Sequence, residues 1–356
     1  MSTPKTMQAI VEDKPAKSAS LQEVAVPALE ANDVLVKVAY VAQNPTDWKH
    51  VTGKSPLNAI IGCDFSGTVV ALGSSLKNPE LKVGDKVAGT VHGGLFDTKG
   101  AFAEYLRVES DLTWKVPESI SMEQASTFGV AWVTACQALL HSQKQKFPPA
   151  KVEGNPWFLI YGGSSSVGLF AIPLAKAMGY KVVAVASAHN HSLLESYGAD
   201  AVVDYHDESK AVEEIQKITG GVERGLDTIS EGSSFKLAVG GFGKSGGQLN
   251  SILPPSPGAK EIRTDVNIAM TLMYTLFGKE FDFSPLGPDH MVLPASAEDR
   301  QFHVEVCQNT PTLIEKYGIK ANPINSRGTL KVIPAGLEEM QQGKVSGKKL
   351  VYKVAA

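Results

Sequence analysis

Between residues 7 and 116 the apolar positions fall in short Val-rich runs: Val34 to Ala42, Phe65 to Leu72, Lys86 to Val91 and Phe102 to Val108. Glycines and Asp-bearing turns such as Val83-Gly84-Asp85 separate them, which predicts a β-rich region. From about Ser121 to His141 the pattern turns helical, with Ser121 as N-cap and Glu123 and Gln124 in the first turn. Residues 157–252 alternate strand and helix, the signature of a doubly wound parallel sheet. The expected strands are Phe158–Tyr161, Val182–Ala186, Ala201–Asp204, Thr228–Ser230 and Gln248–Ile252; helices fall near 167–178, 190–197 and 208–218. Residues 254–299 are rich in Pro, Gly and Asp and hard to assign; Met270, Leu272, Met273, Tyr274 and Leu276 there read either as a pocket wall or as core. A helix over residues 298–317 and a strand–helix–strand ending follow. The fold class is therefore α/β.

The most informative segment is Phe-Leu-Ile-Tyr-Gly-Gly-Ser-Ser-Ser-Val-Gly at 158–168. A strand that turns through glycines into a helix points backbone N–H groups at a phosphate, so a nucleotide cofactor is expected. The spacing is Gly162, Ser165, Gly168, where the usual fingerprint has three glycines. Alone, it also fits an ordinary strand–helix turn, with Gly162 at positive φ and Gly168 allowing close packing. The next strand ends in Ser187-Ala188-His189-Asn190-His191. An NAD site usually carries Asp or Glu here for the ribose 2′-hydroxyl. Ser, His and Asn donors would instead accept a 2′-phosphate, which favours NADPH; for His191 a solvated turn is an equal reading.

At 356 residues the chain is expected to form two domains. Its 43% hydrophobic and 20% charged residues are ordinary for a globular protein. A net charge of −3 gives no reason to propose nucleic acid or an anionic membrane as partner. No apolar run approaches a membrane span, and Met1 to Val11 lacks a signal core. Cys63, Cys136 and Cys307 are odd in number and far apart, which fits a reducing, cytoplasmic setting.

Several landmarks occur in order. They include Asn44-Pro45-Thr46-Asp47, Gly62-Cys63-Asp64-Phe65-Ser66-Gly67, Val83-Gly84-Asp85-Lys86-Val87, Val133-Thr134-Ala135, Asp204-Tyr205 and Gly343 to Val351. With them the chain resembles the medium-chain dehydrogenases/reductases over nearly its full length. The resemblance implies a GroES-like catalytic domain over 1–128 and 306–356 and a Rossmann domain over 129–305. Zinc enzymes of that family put a Cys ligand where Asn44 stands and a His ligand where Cys63 stands. Their structural zinc needs four cysteines, and residues 88–115 contain none. We therefore expect no metal and an already polarised acceptor: an enone or enoyl C=C, a quinone or an aldehyde.

The nearest resemblance is to fungal zinc-free, quinone oxidoreductase-like proteins that include trans-acting enoyl reductases of polyketide synthases. They share the Asn44 to Lys49, Tyr161 to Ser164, Ser187 to Asn190 and Ser346 to Val351 runs. This implies NADPH, a small-molecule substrate, a synthase partner if the chain acts in trans, and a monomer or homodimer. It implies cofactor contacts from Asn44, Gly163, Ser164, Ser165, Ser166, Val167, Ser187, His189, Asn190, Tyr205, Ile252 and Lys348. Thr46 falls at the family's proton-relay Ser/Thr, Lys49 at its relay His, and Thr134 beside the nicotinamide. The bland alternatives are a solvated Lys49, a core Thr134 bonding its own helix, a turn-capping Asn44 and a strand-end Tyr205. A non-catalytic, crystallin-type NADPH binder is the alternative to an enzyme.

Overall fold

The computed structural model describes residues 3–13, 16–53, 59–95, 99–255, 258–283 and 291–354. The chain divides into two compact units. The first holds Met1–Val130, Tyr274–Pro311 and Ala321–Ala356; the second holds Ala131–Met273 and Thr312–Lys320.

The first unit is built on a seven-stranded sheet. Its spatial order is Ile324–Ser326, Lys349–Lys353, Asp33–Ala42, Asp64–Leu72, Lys86–Thr90 and Thr113–Lys115, and Tyr105–Glu109 also pairs with Asp33–Ala42. Val34, Val36, Val38, Phe65, Val69, Val87 and Leu350 fill its core. One edge of Asp33–Ala42 is shared, since Asp33 to Lys37 take the Tyr105–Glu109 strand and Tyr40 to Ala42 take Lys349–Lys353. Ala42 therefore lies opposite Val351 on one side and Asp64 on the other. That register carries Asn44 and Lys349 to the same end of the sheet as Asp64.

The second unit carries six parallel strands in the order Ala201–Val203, Lys181–Val185, Trp157–Tyr161, Arg224–Asp227, Gly247–Ser251 and Val266–Met270. Val182 to Val185 and Phe158 to Ile160 are fully buried, as strands covered on both faces require. The strand before the glycine turn and its neighbour Arg224–Asp227 lie where the winding reverses, the place where such sheets bind ligands.

Two expected elements differ. The helix expected from Ser121 to His141 is interrupted, with turns Met122–Ala125 and Val130–Cys136 separated by residues 126–129. The side chain of Asp64 takes the Val130 N–H at 2.7 Å and fills the space a Cβ on Gly129 would need. The strand expected at Thr228–Ser230 is Arg224–Asp227 instead. Asp227 accepts the N–H groups of Ile229 and Ser230, both at 2.9 Å, and turns the chain there.

The Ile333–Gln341 helix docks on the returning strand through Gly336. The Gly336 carbonyl accepts from Gln43 Nε2 at 2.8 Å, and Tyr352 donates to Gln43 Oε1 at 2.8 Å. A Cβ on Gly336 would come within 1.9 Å of the Tyr352 hydroxyl oxygen. Helix propensity favours Gly336→Ala by about 1 kcal/mol, but overpacking against a fixed, buried phenol outweighs it. We expect a net loss of about 1–3 kcal/mol; a urea midpoint at or above the wild-type value would refute this packing account.

Candidate active site

In the second unit the glycine turn is shaped by close approach. Gly162 has φ of +73°, and a Cβ there would meet Thr228 Oγ1 at 2.4 Å. A Cβ on Gly168 would lie 2.5 Å from the Gly162 carbonyl oxygen, so the helix and turn pack backbone to backbone. Gly163 donates its N–H to the Val185 carbonyl at 2.9 Å. The Ser166–Ala177 helix follows, with Ser165 as its N-cap. Ser165 Oγ accepts from the Gly168 N–H at 2.9 Å and donates to Thr228 Oγ1 at 2.8 Å. Its hydroxyl is thus a structural cap, while Ser164, Ser166 and Val167 stand at the helix entrance. A 12-residue helix with its positive end open behind a glycine turn fits a dinucleotide diphosphate.

The residues expected on the adenosine side lie near the end of the Lys181–Val185 strand. Ser187 Oγ donates to the Tyr205 hydroxyl at 3.2 Å, Tyr205 stacks on His206 with ring centroids 4.4 Å apart, and Asn190 donates to His189 Nε2 at 3.2 Å. Asn190 is buried and His189 exposed. One carboxylate does stand here: Asp204, from the next strand, accepts the Ala188 N–H at 2.8 Å. Hydrogen bonds from the backbone and ring of His206 and from Ala188 hold it down to about 2. Reading only the end of the Lys181–Val185 strand misses it. Ile252 is half-buried and donates its N–H to Ser230 Oγ at 3.0 Å; Thr134 is buried in the Val130–Cys136 helix.

In the first unit Asn44 opens the Pro45–Thr52 helix. Its N–H donates to Asp47 Oδ2 at 2.6 Å in a capping box, and Pro45 supplies the first helical residue. The side chain of Asn44 accepts from Lys349 Nζ, which also pairs with Asp64 at 3.0 Å. Lys349 is 1% exposed. Its neighbour Lys348, the residue expected to touch cofactor, is exposed. Asp47 is buried beside Cys63 and Asp64; burial pushes its carboxyl up to about 7. Burial, with Asp47 and Asp64 adding to it, raises the Cys63 thiol well above its ordinary value.

Thr46 sits one turn in. Its hydroxyl lies 2.5 Å from the hydroxyl of Tyr274 and 3.2 Å from His50 Nδ1. His50 Nδ1 is 2.8 Å from the Thr46 carbonyl oxygen, and its Nε2 is 3.3 Å from His92 Nε2. His92 stacks on Tyr274 with ring centroids 3.8 Å apart. Lys49 is half-buried, with its ammonium 5.7 Å from the centre of the Trp48 ring. Sequence reasoning brought Thr46 to this cluster but gave no role to His50, His92 or Lys349. Tyr274 was legible only as apolar wall or core. Spacing signals only His50, one helical turn beyond Thr46.

Residues 30–118 match the alcohol dehydrogenase GroES-like domain and residues 166–252 the zinc-binding dehydrogenase domain. A trans-enoyl reductase of Alternaria alternata, ACTTS2, is 38% identical over 340 residues, covering 94% of this chain and 95% of that protein. The chain belongs to the medium-chain dehydrogenase/reductase family. A second trans-enoyl reductase, TOXD of Cochliobolus carbonum, is 37% identical over 277 residues, 77% of this chain and 91% of its own. The quinone oxidoreductase from Coxiella burnetii superposes with a TM-score of 0.74 at 26% identity, covering 99% of this chain and all of that one. Membership makes this family member an oxidoreductase and implies a nicotinamide cofactor. The second unit's glycine turn fits one. Zinc, which the name of the second matched domain implies, does not fit the donor set. A buried ammonium, Lys349, already stands on Asn44 and Asp64, and an amide and a high-pKa thiol are poor partners for the ion. No described residues group as a metal site. No described helix is long and apolar enough to cross a membrane.

Asp47 has a measurable consequence. Its folded value near 7 lies above the ordinary 3.8, so from about pH 4 to 7 the folded protein holds the extra proton. The stability this group contributes is complete below pH 4 and is lost as pH rises to 7. Asp47→Asn removes the titration and keeps an oxygen for the Asn44 N–H. Relative to wild type the variant therefore gains stability as pH rises across that window. A difference in urea midpoints that stays flat from pH 4 to 7 would contradict the assignment.

Proposed function

We propose that this chain is an NADPH-dependent reductase that delivers hydride to an activated C=C, an enone or enoyl thioester, in preference to a quinone or aldehyde. The observation that carries this reading is Lys349. A fixed ammonium takes the place where zinc enzymes of the family gather their ligands, so the acceptor must arrive already polarised. The relatives named trans-enoyl reductases support the same acceptor class. The resemblance to enoyl reductases that act in trans extends the reading to a polyketide synthase partner.

The bound nicotinamide supplies the hydride. In this reading Ser164, Ser166 and Val167 hold the diphosphate with backbone and hydroxyl donors, while Gly163, whose N–H is taken by the Val185 carbonyl, shapes the turn. Ser187, His189, Asn190 and Tyr205 receive the 2′-phosphate, with Asp204 screened by His206. Asn44, held by Lys349, orients the nicotinamide ribose or the acceptor, and Thr134 packs by the nicotinamide. Thr46 protonates the carbanion, and the Lys49 ammonium stabilises the charge on the acceptor's oxygen.

The test is NADPH and NADH binding by calorimetry, followed by cofactor oxidation with a panel of enals, enoyl thioesters, quinones and aldehydes. NADPH binds the tighter, and Ser187→Asp reverses or erases that preference by about tenfold, or about 1.4 kcal/mol. Lys49→Ala lowers kcat on the best acceptor about 100-fold. Tight NADPH binding with no turnover on any acceptor would establish the crystallin-type alternative instead.

A further inference from the structure

Ser230 has φ of +57°, a left-handed backbone that any residue with a Cβ resists. Such strain persists only where the surroundings over-determine it, and it gathers at functional sites. Here the surroundings are explicit. Asp227 accepts the N–H groups of Ile229 and Ser230 with Oδ1, both at 2.9 Å, and the Ser234 hydroxyl with Oδ2 at 2.6 Å. The Ser230 hydroxyl donates to the Asp227 carbonyl at 3.0 Å and accepts the Ile252 N–H at 3.0 Å. Ser230 is 4% exposed, so this bridge is shielded from water. Glycine would take the same backbone without strain; what serine adds is the bridge. It joins the ends of two neighbouring parallel strands, since Ile252 directly follows Gly247–Ser251, the partner of Arg224–Asp227.

The strand order says what lies over that bridge. Trp157–Tyr161, which runs into the glycine turn, has Lys181–Val185 on one side and Arg224–Asp227 on the other. Ser187 and Tyr205 follow Lys181–Val185 and Ala201–Val203, all on the first side. A dinucleotide with its diphosphate at the glycine turn and its adenosine over those strands has its other half over Arg224–Asp227 and Gly247–Ser251. Two strand spacings put Ile252 roughly 10 Å across the sheet from the turn, within reach of that half. The segment is also bonded to the turn itself, because Ser165 donates to Thr228 Oγ1 at 2.8 Å.

We propose that Ser230 is a positioning residue for the nicotinamide half of the cofactor: its hydroxyl holds the Ile252 backbone at a set distance from the glycine turn, and Ile252 backs the nicotinamide end. The proposal rests on the NADPH reading above. Ser230 makes and breaks no covalent bond. It acts through Ile252 on how firmly the hydride-donating end is held, and the strained backbone is kept for the hydroxyl it aims.

Binding alone tests it. Adenosine 2′,5′-bisphosphate carries the adenosine half without the nicotinamide, so it separates the two ends. By calorimetry, Ser230→Ala and Ser230→Gly should bind it within about twofold of wild type and bind NADPH about tenfold more weakly. Ser230→Gly removes the strain that Ser230→Ala keeps, so its urea midpoint should be the higher of the two while its NADPH binding is no better. A merely structural serine would instead make binding follow stability. In wild type, hydrogen exchange at the Ile252 amide should slow when NADPH is added and stay unchanged with the bisphosphate, a measurement that needs no variant to fold. NADPH binding unchanged in both variants, equal weakening of both ligands, or an Ile252 amide slowed equally by both would overturn the proposal. NADPH that does not bind wild type at all would overturn the cofactor reading, and the proposal with it.

Discussion

The buried pair of Lys349 and Asp64 is the constraint around which the first unit is arranged. Two ions taken from water cost several kcal/mol each unless their remaining hydrogen-bonding capacity is met. Here part of it is met by main-chain and side-chain groups from distant parts of the chain, while Asp64 Oδ2 has only the ammonium beside it. Asp64 receives the Val130 N–H as well as the ammonium, and Lys349 also donates to Asn44. Each partner lies where the sheet register puts it, because Ala42 is flanked by Val351 and by Asp64. The returning C-terminal strand closes the sheet and, with the same residues, brings a cation to this cluster. Removing either partner would leave an uncompensated buried charge, a far larger loss than any surface ion pair in the chain.

That pair also decides the chemistry its surroundings can do. With a fixed ammonium beside Asp64, Asp47 does not need to be ionised, and burial holds it largely neutral up to about pH 7. The thiol of Cys63 stays protonated for the same reason. The groups around Thr46 and Tyr274 therefore include a neutral phenol and a neutral thiol, with burial also holding the His92 imidazole neutral. A neutral donor set suits delivery of a proton to carbon. It would serve poorly for stripping a proton from an unactivated alcohol, where a Lewis acid or a strong base is required.

The two units were legible in the sequence to different depths. Parallel strands announce themselves as continuous apolar runs, and the strands expected at Phe158–Tyr161 and Val182–Ala186 lie within a residue of the observed Trp157–Tyr161 and Lys181–Val185. The strand at Arg224–Asp227 was displaced because its glycine and buried carboxylate carry no β signal, while the β-branched Thr228 and Ile229 after it do. The cap at Ser165 was read as a donor to a phosphate. Its hydroxyl instead spans from the Gly168 N–H to Thr228, a long-range partner no local pattern contains. Asp204 was missed for a similar reason: it reaches the Ser187–Ala188 turn from the neighbouring strand.

In the first unit the helix that carries Asn44, Thr46, Asp47 and Lys49 was visible as a motif, but its partners were not. His92 and Tyr274 lie 46 and 228 positions from Thr46, and only the folded sheet brings them to it. Tyr274 comes from the stretch 254–299, whose prolines and glycines hide any period; residues 256, 257 and 284–290 of it lie outside those described. An aromatic in such a stretch is indistinguishable from core by composition, and the difference is made by its hydroxyl. A buried phenol must find an acceptor. Here its nearest polar neighbour is the Thr46 hydroxyl at 2.5 Å, with Cys63 Sγ at 4.0 Å.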